Sequence, residues 1–144
     1  MMLKTYIHYG SSVYDKNRFM PVCNCPWNKP KPHTCLWGSP TDSQNSWKNF
    51  CVSENFRTNS LREHFTFRLV HPERILFIHD EKSLGILKQY TKNGFYIDFE
   101  KIYADGYSGI EVSITDFGIL TPHILLSWDV DSIVMFDKDE IIQV

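Results

Sequence analysis

Three cysteines and one histidine form the densest group of metal-binding side chain types in the sequence: Cys23, Cys25, His33 and Cys35. Thiolate and imidazole ligands suit zinc in a tetrahedral site. Their pairing as Cys-x-Cys and His-x-Cys is unusual, because most zinc knuckles separate paired cysteines by at least two residues. The spacing leaves open a zinc-stabilised interaction protein. An exposed loop without metal is favoured, since a chain of this length can fold without a metal.

Three other segments combine polar, aromatic and acidic residues along nearly the whole chain. They are Tyr6-Ile7-His8-Tyr9-Gly10-Ser11-Ser12, then Leu36-Trp37-Gly38-Ser39-Pro40 followed by Ser46-Trp47, and then Asp129-Val130-Asp131 before Ser132-Ile133-Val134-Met135-Phe136. In their order and rough spacing these motifs resemble the ADP-ribosyltransferase superfamily, which includes diphtheria toxin and the poly-ADP-ribose polymerases. Each motif is short, so the resemblance depends on their order.

The resemblance implies that NAD is the substrate and that it is split between nicotinamide and ribose. His8 then hydrogen-bonds a ribose hydroxyl, and the backbone of Gly10 holds the carboxamide, because glycine allows close approach of the ring. Ser46 donates to the carboxamide oxygen. Trp37 and Trp47 enclose the ring, which suits a positively charged pyridinium. The same motifs place three neighbouring residues at the cofactor: Tyr9, Ser11 and Ser39.

A carboxylate is expected to stabilise the oxocarbenium-like transition state and to orient the ribose 2′-hydroxyl. Asp131 is preferred because its strand matches the last motif, and Glu111 on a neighbouring strand is the competing acid. The family usually has glutamate here, and aspartate is shorter by one methylene. The family also usually places histidine directly before glycine, whereas Tyr9 intervenes in this chain. His8 is retained as a site residue because it shares a strand face with Gly10.

The elements that must position these residues are short, and predicted strands outnumber predicted helices. Apolar alternation and β-rich composition predict strands over 4–10, 35–39, 64–70, 75–78, 109–114 and 131–136. Capping side chains predict helices that begin at Thr41, Asp42 or Ser43, at Asp80 and at Asp98, and residues 13–34 form a long loop. We therefore expect an α+β fold, a small split mixed β-sheet with short helices that is ADP-ribosyltransferase-like.

Length and composition predict a single domain over residues 1–144. The formal net charge is −2 and no basic stripe is present, which argues against a general nucleic-acid coat. The sequence has no apolar run of membrane-spanning length and no signal-peptide pattern at its N-terminus. We expect a cytoplasmic protein without a membrane partner, and four cysteines that remain thiols.

The leading hypothesis is an NAD-dependent mono-ADP-ribosyltransferase that modifies a macromolecule and releases nicotinamide. A protein target is favoured over nucleic acid because the surface is close to neutral. Loops 13–34 and 115–130 are the expected target-recognition segments. The small size suggests a toxin, an effector or a phage-conflict protein, by analogy with the family. The alternatives are a catalytically weak or inactive binding module, for which the short acid Asp131 argues, and the zinc-stabilised interaction protein.

Overall fold

The computed structural model describes residues 4–24, 30–32, 35–93 and 96–144. Short strands dominate this part of the chain. They are β1 (Tyr6–Tyr9), β2 (Leu36–Pro40), β3 (His64–Leu69), β4 (Ile75–Ile78), β5 (Thr91–Lys92), β6 (Tyr96–Ile97), β7 (Gly109–Val112), β8 (Ser132–Met135) and β9 (Ile141–Gln143).

Four short α-helices lie between the strands of the described chain: α1 (Trp47–Glu54), α2 (Glu81–Lys88), α3 (Phe99–Ala104) and α4 (Ile114–Phe117). Short 3₁₀-helices connect other elements, at Lys16–Arg18, Thr58–Leu61, Pro72–Arg74, Gly118–Leu120, His123–Trp128 and Lys138–Glu140. None of the helices in the described ranges has the length and apolar character needed to cross a membrane.

Seven of the strands form one curled, mixed sheet in the order β4-β7-β8-β2-β1-β3-β9, while β5 and β6 form a separate hairpin. The β4–β7 pair is parallel and the other neighbours are antiparallel. These features confirm the predicted α+β class with a mixed sheet and short helices. The predicted split of the sheet is wrong. The seven strands form one continuous sheet, because β1 pairs with β2 through Tyr6↔Pro40 and Ile7↔Ser39.

The sheet separates two apolar cores, because successive side chains of a strand point to opposite faces. In β8, Val134 belongs to the larger core, which contains buried residues of α2 and α3. Ile133 and Met135 belong to the smaller core with Tyr6 and Phe67. One short strand therefore connects both cores, and its N-terminal end lies where the predicted acid Asp131 enters the fold.

The predicted caps at Asp80 and Asp98 are confirmed, and each side chain accepts a hydrogen bond from a backbone N–H in the first turn. The predicted start of α1 is wrong. Ser46 caps this helix by accepting from Asn49 N, whereas Ser43 donates its hydroxyl to Asp131. A long-range bond therefore removes Ser43 from the capping role that its local sequence favours.

Candidate functional site

An open cavity of about 640 Å³ lies where β7 ends, β8 begins and the chain enters β1. Both predicted acids, Glu111 and Asp131, line it, although they come from different strands. Lys4, Phe77 and the segment 42–45 complete much of its wall. The structure therefore brings together the two carboxylates that the sequence offered as alternatives, and we call this space the acid cavity.

Glu111 accepts hydrogen bonds from two side chains at or just before the start of β1. The buried Tyr6 hydroxyl donates to Glu111 Oε1 at 2.5 Å, and Lys4 Nζ donates to Oε2 at 2.5 Å. Burial, followed by the charge and hydrogen bond of Glu111, raises the pKa of the Tyr6 phenol far above its usual range. Tyr6 therefore remains a neutral donor that fixes one oxygen of the glutamate, while the second oxygen faces an ammonium group.

Asp131 has a different environment, because its oxygens accept from two walls of the cavity. Thr115 donates its backbone N–H to Oδ1 at 2.9 Å and its hydroxyl to Oδ2 at 2.7 Å. Ser43 donates its hydroxyl to the same Oδ2 at 2.7 Å. The backbone N–H of Asp131 also donates to Asn45 O at 2.9 Å. Asp131 thus ties α4 to the segment after β2.

His8 lies further along β1 and does not line the acid cavity. Its Nδ1 donates to the carbonyl of Trp37 at 2.7 Å, and its ring packs on Phe65 with centroids 5.1 Å apart. Because a carbonyl only accepts, this bond requires a hydrogen on Nδ1. Burial lowers the pKa of His8, while the Trp37 carbonyl opposes that shift. His8 is therefore a neutral, partly buried link between β1 and β2.

Gly10 and Ser11 line a second cavity of about 550 Å³, formed mainly by residues 10–16 with Arg18 and Glu63. Gly10 has a φ of +114° and donates its backbone N–H to Glu63 O at 2.8 Å. The neighbouring Tyr9 ring meets His64 edge to face, with centroids 5.7 Å apart. The predicted carboxamide holder thus opens into a different cavity from the one that contains the acids.

Neither of the two predicted indole walls lines the acid cavity. Trp37 packs on Trp128 with ring centroids 5.1 Å apart, and Trp47 stacks on Phe50 at 5.6 Å. Their aromatic faces therefore serve packing at the larger core and within α1.

Two predicted cofactor serines hold α1 in place. Ser39 Oγ accepts from Trp47 N at 3.2 Å, and Ser46 Oγ accepts from Asn49 N at 3.3 Å. Ser39 and Ser46 thus both accept hydrogen bonds from backbone N–H groups in the first turn of α1. This arrangement explains the spacing of the second motif through helix capping and docking.

The possible zinc ligands are only partly described. Cys23 and Cys35 belong to the described ranges, whereas Cys25 and His33 lie outside them. Within the described ranges, the structure has no cluster of three or more histidine, cysteine, aspartate or glutamate side chains arranged to hold a metal ion.

Sequence reasoning missed four lining residues of the acid cavity that touch or neighbour the acids: Lys4, Ser43, Phe77 and Thr115. It also missed Tyr6, which does not line the cavity but donates to Glu111. A signal existed for Tyr6, because strand alternation places it on the same face as His8. Ser43 and Thr115 gave no such signal, since their bonds to Asp131 join residues far apart in the chain.

Comparison of the chain with protein-family models, curated proteins and solved structures finds no match.

Proposed function

We propose that this chain is an NAD-dependent mono-ADP-ribosyltransferase whose reaction takes place in the acid cavity. The observation that carries the proposal is the buried Glu111, held by Tyr6 and aimed into an open cavity that Asp131 also lines. A fixed carboxylate beside a space of this size is suited to stabilise positive charge on a sugar.

In this reaction the bond between ribose C1′ and the nicotinamide nitrogen breaks, and its electron pair leaves with nicotinamide. The ribose passes through an oxocarbenium-like state that a nearby carboxylate stabilises. An acceptor nucleophile on the target, or water, then forms a bond to C1′ and loses a proton. The target is a macromolecule, and a protein is favoured by the net charge of −2.

Hydrogen bonding favours Glu111 over Asp131 as the residue that faces the ribose. Both Asp131 oxygens accept from Ser43 or Thr115, which are parts of the cavity wall itself. Glu111 has one oxygen held by the buried Tyr6 and the other by Lys4, whose side chain is 42% exposed. An exposed ammonium on a flexible stem exchanges with a ligand more readily than a backbone N–H and two short hydroxyl side chains do. We therefore assign Glu111 as the catalytic acid and Asp131 as a positioning residue.

Release of nicotinamide from NAD, with and without a cell lysate as acceptor source, tests this proposal. We expect wild type to release nicotinamide and Glu111→Gln to lose about a hundredfold in rate, as for other residues that stabilise transition-state charge. Glu81→Gln, an exposed substitution at the start of α2, is the matched control and should keep the wild-type rate. Absence of nicotinamide release by wild type, both with and without the lysate, would refute the proposal.

A non-catalytic binding module is the second candidate, and one specific observation favours it. Both carboxylates already have partners within the chain, with Lys4 and Tyr6 on Glu111 and Ser43 and Thr115 on Asp131. Calorimetry with NAD and with ADP-ribose separates the candidates, because a binding module should give heat of binding without release of nicotinamide.

A further inference from the structure

We propose that Glu111 and Phe77 form a subsite for a flat organic cation, and that the Lys4 ammonium occupies this subsite until a ligand displaces it. The inference depends on the proposed function for the identity of the ligand, which is then the pyridinium end of NAD. The subsite itself is argued from the contacts of Lys4 and from the shape and charge of the acid cavity.

The position of the Lys4 ammonium shows that this part of the cavity accommodates a positive charge. Its Nζ contacts Glu111 Oε2 and lies 5.0 Å from the centre of the Phe77 ring. It also lies 5.6 Å from the centre of the Tyr6 ring. The negative face of an aromatic ring attracts cations at these distances. One carboxylate and two rings therefore surround the same point.

The two sides of this contact differ in exposure, which makes Lys4 the displaceable partner. The Lys4 side chain is 42% exposed, whereas that of Glu111 is 6% exposed. Lysine has a flexible stem and a strongly hydrated head, so its release into water carries little penalty. Glu111 remains fixed by the Tyr6 hydroxyl when Lys4 leaves. A ligand cation can thus take the place of the ammonium without rearranging the wall.

The remaining features of the cavity favour a flat cation over a compact one or an anion. Phe77 is 37% exposed, a high value for a phenylalanine. The His79 ring stacks on it with centroids 4.4 Å apart, and the ring surface that Lys4 covers is the one that a flat cation would contact after displacing Lys4. Among the described residues, the lining has one cation, Lys4, and four carboxylates: Asp42, Glu111, Asp116 and Asp131. This balance disfavours the pyrophosphate part of a dinucleotide at this point and favours its positively charged ring.

Binding of 1-methylnicotinamide, a flat cation, compared with neutral nicotinamide tests the subsite without requiring turnover. We expect Lys4→Met to tighten binding of the cation roughly threefold to fivefold, because an internal competitor of modest strength is removed. Phe77→Leu should weaken it by roughly fivefold through loss of the ring face. Lys16→Met is the matched control, since Lys16 pairs with the exposed Asp139 and lines only the other described cavity.

The inference is overturned if Lys4→Met leaves binding of the cation unchanged or weakens it, if Phe77→Leu has no effect, or if neither wild type nor Lys4→Met binds the cation. If the Lys4→Met and Phe77→Leu variants change binding of the cation as expected but wild type does not cleave NAD, the subsite is supported and the transferase is refuted. If wild type cleaves NAD but Lys4→Met does not change binding of the cation, the subsite is refuted and the proposed transferase activity is not. Thermal unfolding of each variant confirms that the compared proteins are folded.

Discussion

Ser43 and Asp131 lie 88 positions apart in the chain, and their side chains are joined by a hydrogen bond of 2.7 Å. The same carboxylate oxygen accepts from the Thr115 hydroxyl, and the second oxygen accepts from the Thr115 backbone. Asp131 is 6% exposed, so water does not readily replace these donors. This junction holds two walls of the acid cavity at a fixed separation.

Replacement of Asp131 by alanine should therefore act mainly on stability. We expect the free energy of unfolding to fall by about 3 kcal/mol, because several donors to a buried charged group lose their acceptor. Urea unfolding of Asp131→Ala measures this loss. Asp139→Ala, at a side chain that is 69% exposed, is the control and should change stability little. Equal unfolding midpoints for the two variants would contradict a junction at Asp131.

Local signals in the sequence were sufficient for several strands and helices away from this junction, but not for α4, which carries Thr115. Alternating residues predicted β3, and the aspartates at 80 and 98 predicted the starts of α2 and α3. These features depend on side chains within a few residues of one another, as strand alternation and helix capping do. The same reasoning did not find β9, a three-residue strand at the sheet edge that pairs with β3.

Long-range contacts decided what the sequence left open or misassigned. Ser43 has a capping side chain by type, but its bond to Asp131 leaves Ser46 as the cap of α1. Trp37 suits a ligand wall by type, yet it packs on Trp128 from a distant part of the chain. Glu111 and Asp131 were candidates from the sequence, but their presence in one cavity depends on the pairing of β7 with β8.

The Tyr6 hydroxyl should contribute to stability through Glu111. We expect Tyr6→Phe to lower the free energy of unfolding by about 1–3 kcal/mol, because a buried carboxylate oxygen loses its donor. Tyr103→Phe, at an exposed tyrosine, is the matched control. Because the fold raises the pKa of Tyr6, its contribution is present below the ordinary tyrosine pKa of about 10 and declines as pH rises above it.

Urea unfolding of the two phenylalanine variants at neutral pH and at alkaline pH measures both effects. The difference in stability between wild type and Tyr6→Phe should narrow as pH increases. A difference that widens with pH would contradict a neutral phenol that donates to Glu111.

His8 should make the fold sensitive to mild acid. Burial lowers its pKa, so the neutral ring is favoured in the folded state. The corresponding stability is present above the unfolded pKa of about 6.5 and is lost as pH falls through the lower folded pKa. Wild type should therefore lose stability below about pH 6.5 more steeply than His8→Asn, whose amide can still donate to the Trp37 carbonyl.

Chemical denaturation at a series of pH values measures this difference between wild type and His8→Asn. The other five histidines are common to both proteins, so their titration cancels in the comparison. Parallel stability curves would show that His8 is not held neutral. Nitrogen NMR provides a second measurement, with a hydrogen expected on Nδ1 in the folded protein.

Gly38 is required for packing within the second motif. A methyl group built at its Cα would lie 2.9 Å from Phe67 Cζ and 3.3 Å from Ile133 Cγ2. Because Phe67 is fully buried in the smaller core, its ring has little room to move. We expect Gly38→Ala to lower the free energy of unfolding by about 1–3 kcal/mol, the usual range for overpacking.

A double-mutant cycle with Phe67→Leu separates this clash from other effects of the alanine. If the methyl group and the ring collide, the double variant should lose less stability than the sum of the two single variants. Gly85→Ala is the matched control, because a methyl group there meets open space in an exposed part of α2. It should raise stability by about 0.5–1 kcal/mol, since alanine favours helix over glycine. Additive losses in the cycle would refute a contact between position 38 and Phe67.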